Sequence, residues 1–202
     1  HTQLIERLLS NYMDLGISGK TALVSASSAG LGFASAQALA EAGCKTVISG
    51  RNEERLMHAA SKIPNSIPVI ADVSTVKGSQ ALVQDAKSQL GTNIDILITN
   101  AGGPPTGTFA STDVDQYLTA IELNLMSVVA MCKETVPDMQ EKKWGRVLAI
   151  TSISVRQPIP NIMLSNTARA GVTGFLKTMA LETASDGVTV NSIQPGFHAT
   201  DR

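Results

Sequence analysis

The chain has 202 residues, 43% of them hydrophobic and 16% charged, with 16 Lys and Arg against 17 Asp and Glu for a formal net charge of −1. That length holds one core of ordinary size and argues against two domains, and the balanced charge provides no basic field to neutralise phosphate backbones, so nucleic acid is not an expected partner. No apolar run reaches the roughly 20 residues that cross a bilayer, and Cys44 and Cys132 stand far apart without a CxxC or a histidine cluster, so membrane and metal are not expected and both cysteines read as buried thiols of a soluble cytoplasmic protein.

Residues 1–12, HTQLIERLLSNY, put Leu4, Ile5, Leu8, Leu9 and Tyr12 at helical spacing. They read either as an amphipathic extension docked on a partner subunit or as residues ahead of a native start at Met13. The domain proper is expected over 13–202. From Lys20 onward short apolar runs alternate with longer helical ones: TALVSA, LGFASAQALAEAG, KTVISG, NEERLMHAASKI, IPVIADV, and then DILITNAG, VLAITSIS, the helical NTARAGVTGFLKTMALETA, and VTVNSIQPG. Such alternation is the βαβ rhythm of a parallel sheet, and continuous runs such as Ile94, Ile96, Leu97 and Ile98 suit strands covered on both faces. The expected class is a doubly wound α/β, Rossmann-type single domain, with ligands beyond the carboxyl ends of the strands. The stretch GGPPTG, Gly102 to Gly107, is expected to be a mobile loop without regular structure.

The first strand runs into ASSAGLG ahead of an alanine-rich helix. A glycine-rich turn at a helix amino end offers bare N–H groups and the positive dipole end to a diphosphate. Gly30 and Gly32 leave room for that approach beside Leu31, and Ser27 and Ser28 add hydroxyl donors; a tight turn of purely structural purpose would carry the same pattern.

Further motifs make the chain resemble the short-chain dehydrogenase/reductase family, in particular its 3-oxoacyl-carrier-protein reductase-like members. The family fingerprint T-G-x-x-x-G-x-G is matched by Ser25, Ala26, Gly30 and Gly32, with Ala26 in place of the first glycine. A methyl group there is expected to require a negative φ. Asp72, followed by Val73 in ADV, matches the acidic residue near the adenine ring. Thr99-Asn100-Ala101-Gly102 resembles N-N-A-G with Thr99 replacing the first Asn. Asn124 matches the helix asparagine that organises an active-site water, and Pro195-Gly196 with Thr200 resembles the P-G-x-x-x-T whose threonine holds the nicotinamide carboxamide. The resemblance covers Lys20 to Arg202, and it implies a homodimer or homotetramer and a carboxyl-terminal part of the family fold lying beyond this chain.

An acidic residue at the end of the second strand would accept hydrogen bonds from the ribose 2′-hydroxyl of NAD. Gly50 stands there, and Arg51 follows. Space and positive charge suit a 2′-phosphate, so NADP is expected ahead of NAD; in the competing reading Arg51 solvates a helix start beside Glu53 and Glu54.

In the family a serine holds the substrate oxygen and a Tyr-x-x-x-Lys pair delivers the proton. Ser152 matches the serine, but Ser165 stands at the tyrosine position and Arg169 at the lysine position. An aliphatic hydroxyl is far too weak an acid for the tyrosine's role, and an arginine guanidinium holds its protons while still donating hydrogen bonds to ribose or an anionic substrate. Ser165 also reads as an amino-terminal helix cap, with Arg169 leaning back toward it. His198 is the alternative titrating group, and Tyr117 reads as a packing aromatic. The expected function is NADP-dependent hydride transfer between nicotinamide and a small carbonyl or alcohol substrate at an altered site with Asn124, Ser152, Ser165 and Arg169. The rival expectation is a nicotinamide-dinucleotide-binding protein with little turnover.

Overall fold

Apolar β-branched runs and alanine- and leucine-rich runs alternate along the chain, and each forms the element its composition favours. The computed structural model describes residues 14–198; the expected extension 1–12 and the expected carboxamide contact Thr200 lie outside them. In chain order come β1 (Thr21–Val24), α1 (Gly30–Glu41), β2 (Lys45–Gly50), α2 (Glu53–Ala60), β3 (Ile67–Ile70), α3 (Val76–Leu90), β4 (Ile96–Thr99) and α4 (Val114–Ile121). A π-helical turn (Glu122–Met126) then leads into α5 (Ser127–Glu141), followed by β5 (Gly145–Ile150), a single 3₁₀ turn (Ile153–Val155), α6 (Met163–Thr183) and β6 (Val188–Ile193).

The strands form one parallel sheet in the order β3-β2-β1-β4-β5-β6. Leu23 of β1 sits in register with Val47 of β2 on one side and Leu97 of β4 on the other. The chain crosses from one half of the sheet to the other between β1 and β4, so the connections leaving these strands diverge and open a crevice above their carboxyl ends.

Side chains alternate across each strand, so both sheet faces are covered. Leu23, Val47, Leu97 and Val147 pack with Leu82 and Val83 of α3, Met131 and Met139 of α5 and Val172 of α6. Ala22, Val24, Ile48, Ile96 and Ile98 pack on the other face with Ala36 of α1 and Leu56 and Ala59 of α2. Each fully buried Leu or Ile stabilises the fold by about 1.5–3 kcal/mol. Cys132 lies in the first cluster, and burial pushes its thiol up to about 12. Cys44 lies in the second, raised by burial and by the charge of Asp95. Both are therefore unreactive packing thiols, as their isolation in the sequence suggested.

Element ends differ in places from the sequence expectation. β1 stops at Val24 and β3 at Ile70, because the small and polar residues that follow turn out of the sheet, and α6 begins at Met163, ahead of Asn166. The 102–107 stretch forms no helix or strand, but its end is tied down: Gly107 N–H donates to Asn161 O at 2.8 Å and Met163 N–H donates to Gly107 O at 3.2 Å. Among the described residues no helix is long and apolar enough to cross a membrane, and no group of His, Cys, Asp or Glu side chains could hold a metal ion.

The amino ends of the strands are fastened by polar contacts. Asp95, buried ahead of β4, accepts from Thr21 N–H at 3.1 Å and from Lys142 Nζ at 2.7 Å. Beside this, the cations of Lys20 and Arg146 lie over the Trp144 ring, 4.2 and 4.4 Å from its centroid.

Burial alone would raise the Asp95 pKa, but the Lys142 hydrogen bond and charge together with the Thr21 donors hold it below the usual carboxylate range. A depressed folded-state pKa contributes stability above the unfolded pKa of about 3.9 and loses it as pH falls through the folded value. Asp95→Asn is therefore expected to cost about 1–3 kcal/mol at pH 7. Denaturant unfolding of both proteins should show that difference narrowing below about pH 4, and a constant difference across the acid range would contradict the assignment.

Candidate active site

Three structural features meet above the carboxyl ends of β1 and β4. The first is the start of α1. Ala29, its N-cap, provides no side-chain acceptor, and the first turn contains no acidic residue. The next two helices are closed at this point: Asn52 Oδ1 accepts from Arg55 N–H at 2.8 Å at the start of α2, and Thr75 Oγ1 accepts from Gly78 N–H at 3.0 Å at the start of α3. The leading N–H groups of α1 thus have no side-chain cap at the positive end of the helix dipole, a suitable receptor for an anion.

Two residues shape this turn. Gly30 has φ of +57°, a conformation that a residue with a Cβ resists. At Gly32 a Cβ would stand 2.6 Å from Ala26 O and 2.7 Å from Asn100 Nδ2, so only glycine lets the helix approach this closely. Ala26 departs from expectation: its φ is +46°, in the left-handed region, rather than negative. The chain keeps the turn geometry of a glycine while bearing a methyl group, at a cost of about 1–2 kcal/mol.

Ser25 and Ser27 are fully buried. Ser25 Oγ donates to Asn100 O at 2.6 Å and accepts from Asn100 N–H at 2.8 Å, while Asn100 Nδ2 donates to Ala26 O at 2.9 Å. Ser27 Oγ donates to Val24 O at 2.7 Å and accepts from Ser49 N–H at 2.9 Å. These hydroxyls build the cradle from below. The expectation that Ser27 offers a donor to a ligand is corrected, because its hydroxyl hydrogen is spent on Val24. Ser28 is half-buried and lies against Gly50, where an added Cβ would meet its Oγ at 3.1 Å.

The second feature is the edge beside β2. Arg51 Nε lies 3.9 Å from Asp72 Oδ1, with both side chains largely exposed. Asn52, not Arg51, caps α2, so the cation is not needed for the helix start. Asp72 also accepts from Ser74 N–H at 3.0 Å, and Val73 after it is buried.

The third is the end of β4 and β5. Asn124 is buried in the π-helical turn, a distortion often found at functional positions, and its Nδ2 donates to Gly102 O at 2.8 Å. Ala101 is half-buried and Gly102 exposed, with open space where a side chain would point. Ser152 Oγ accepts from Ser154 N–H at 3.1 Å, and Ile153 N–H donates to Pro195 O at 3.0 Å, which ties the Pro195-Gly196 loop to the Ser152 turn. Arg169 does lean back on Ser165: its Nε donates to Ser165 Oγ at 3.2 Å, and its Nη1 donates to Ile150 O at 3.0 Å. Ser165 is not a helix cap, since it lies in the first turn of α6 and Ile162 occupies the cap position. His198 is exposed beyond β6.

Two contributors escaped the sequence reading. Ser49 Oγ accepts from Ala26 N–H at 3.1 Å, and Thr151 Oγ1 donates to Ile193 O at 3.0 Å. Both are hydroxyls at the carboxyl ends of otherwise apolar strands, and that position is the only signal that could have marked them. Chemically, the crevice offers N–H donors for a diphosphate, a cation for an adjoining anionic group, and hydroxyl and guanidinium donors at the far end.

The family described as short chain dehydrogenase matches residues 20–202. Relatives include nodulation protein G of Azospirillum brasilense, 35% identical over 92% of this chain and 77% of its own length, and a 3-oxoacyl-[acyl-carrier-protein] reductase of Synechocystis, 35% identical over 92% and 76%. Among solved structures, L-sorbose reductase of Gluconobacter frateurii, complexed with NADPH and L-sorbose, superposes with a TM-score of 0.88 at 33% identity, covering 94% of this chain and 73% of that one. An actinorhodin polyketide ketoreductase with NADPH gives 0.85 at 29% identity, with 91% and 72% covered. The parallel six-stranded sheet, the open tip of α1 and this degree of kinship lead to one conclusion: the chain belongs to the short-chain dehydrogenase family and is an oxidoreductase.

Proposed function

We propose that the protein is an NADP-dependent reductase of small carbonyl substrates or, in the reverse direction, an NADP-dependent dehydrogenase of the corresponding alcohols, working with an altered acid–base apparatus. The observation that carries this reading is the uncapped tip of α1 beside Gly50 and Arg51. N–H groups near Gly30, Leu31 and Gly32 would take the diphosphate, with Ser25, Ser27 and Asn100 holding the turn in shape and Ser28 at its edge. Gly50 leaves the end of β2 without an acid, and Arg51 would pair with a 2′-phosphate in a charge-assisted fork. Asp72, Val73, Ala101 and Gly102 would border the adenosine and ribose, and Pro195 and Gly196 the nicotinamide. NADPH in two related structures supports the same choice of coenzyme.

When bound, the coenzyme supplies the hydride. Ser152 would hold the substrate oxygen by hydrogen bond, with Asn124 fixing the Gly102 backbone beneath it. Ser165 would be a second donor: with Arg169 Nε donating to its oxygen, its own hydrogen is left to point elsewhere. Neither side chain is suited to surrender a proton near neutral pH, so the proton reaching the alkoxide would come from solvent, and loss of positioned acid–base help lowers the rate by about 10²- to 10⁴-fold. The same feature favours the second reading, a dinucleotide-binding protein with little turnover. Cytoplasmic residence and a homodimer or homotetramer accompany either reading.

Purified protein mixed with NADPH and a panel of ketones and keto-acyl thioesters is expected to show substrate-dependent loss of absorbance at the nicotinamide band; tight binding without turnover across the panel would select the second reading. Arg51→Ala is expected to weaken NADPH binding about 10-fold or more, the value of a hydrogen bond to a charged group, and to leave NADH binding within about 2-fold, measured by calorimetry. An unchanged preference for NADPH would remove Arg51 from the coenzyme site. The double variant Ser165→Tyr with Arg169→Lys, which installs the family pair, is expected to raise kcat by about 10²-fold or more with little change in KM. A rate no higher than that of the parent would show that proton delivery does not limit turnover.

A further inference from the structure

The carboxylates of this chain are unevenly placed. None of its 17 Asp and Glu residues stands in 96–112, 145–181 or 187–198, the segments that carry β4, β5 and β6 with the loops beyond their carboxyl ends. After β4 the first is Asp113, at the N-cap of α4. The coenzyme end differs, with Glu53, Glu54 and Asp72 beside Arg51. In the acid-free segments Arg146 lies over Trp144 at the opposite margin, and Lys177 is roughly two turns along α6 from Arg169. Arg156 and Arg169 are the cations near the strand ends, and a recess walled by one sign of charge concentrates ligands of the opposite sign.

Arg156 is tethered at a particular place. It closes the 3₁₀ turn that Ser152 opens, its N–H donating to Ile153 O at 3.0 Å. Its Nε donates to Gln194 Oε1 at 2.9 Å, one residue before Pro195, and Ile153 N–H donates to Pro195 O at 3.0 Å. The guanidinium therefore joins the Ser152 turn to the Pro195-Gly196 loop. Its side chain is exposed, and among the described residues its Nη groups meet no acceptor. With Nε engaged, the end-on fork of the two Nη groups is the face left for an anion.

We propose that Arg156 is a specificity-determining residue that selects carbonyl substrates bearing an anionic group, a carboxylate or a phosphate, which its Nη fork takes while Ser152 holds the reacting oxygen. The place of the reacting oxygen rests on the proposed function; the acid-free rim and the tethered cation do not. The anion is remote from the bond that changes, so its contact is alike in ground and transition states and acts chiefly on KM.

Matched probes isolate the charge: levulinate against methyl levulinate, and dihydroxyacetone phosphate against dihydroxyacetone, each with NADPH. The protein is expected to favour the anionic member of at least one pair by about 10-fold or more in kcat/KM, and Arg156→Gln to erase that preference chiefly through KM. Arg156→Lys, which keeps the charge without the fork, is expected to retain part of it. The pair that responds tells carboxylate from phosphate. Equal use of both members of both pairs, or a preference that survives in Arg156→Gln, would overturn the proposal. Should no pair turn over, calorimetric titration of the two anions into protein saturated with NADP⁺ decides: binding about 10-fold weaker in Arg156→Gln than in the parent supports it, and equal affinity or no binding of either anion overturns it. Absence of coenzyme binding would fail the proposed function instead, and the same titration of the protein alone would then judge Arg156.

Discussion

The site exists because β1 and β4 are fastened to each other where the sheet changes direction. Ser25 and Asn100 exchange two hydrogen bonds there, and the Asn100 amide adds a third to Ala26 O. Parallel neighbours whose following connections leave on opposite sides would otherwise splay at this point, and every group above them depends on their spacing. The tip of α1, the closeness of Gly32 to Ala26 and the course of the 100–102 backbone under Asn124 all descend from that clamp. Its buried hydroxyl is fully satisfied, so it strengthens the crevice floor without leaving an unmet polar group.

The coenzyme half and the reacting half of the crevice have been treated differently. In the first, backbone geometry is kept even where the side chain is unsuited, as the positive φ of Ala26 shows. In the second, the proposed function has the family's chemical types exchanged at Ser165 and Arg169 and their positions retained. Arg169 spends its fork on the carbonyl oxygens that finish β5 and on Ser165, so its charge stitches α6 to the sheet. On the proposed function, what remains for chemistry is proximity and hydrogen bonding, which are large contributors to rate by themselves.

Much of this was readable in the sequence, for definite reasons. The alternation of runs such as TALV, KTVISG and ILIT with longer amphipathic stretches dictates a parallel sheet with two covered faces, and the strand order follows once that topology is adopted. The motif resemblance pointed to Ser165 and Arg169 as a pair, and Arg169 Nε donates to Ser165 Oγ. Conformation was less legible. No local pattern reveals that Ala26 takes a left-handed backbone, since that is imposed by Ser49 and Asn100 from distant strands. The π-helical turn is equally silent, because ELNLM has an ordinary helical composition. Ser27 and Ser28 are neighbours of one type, and only the packing of β2 decides that one faces inward and the other lies at the edge.

The stacking of two cations on Trp144 has a practical corollary. It is the chain's single tryptophan, and it precedes β5, whose six residues separate it from the crevice by about 20 Å at roughly 3.3 Å per residue. Its fluorescence therefore reports on the opposite margin of the sheet, in an environment set by Lys20 and Arg146. Indole emission will register the melting of that margin, whereas a reduced nicotinamide in the crevice can affect it only through resonance energy transfer. Optical titration and optical denaturation of this protein thus read two separate events with one chromophore.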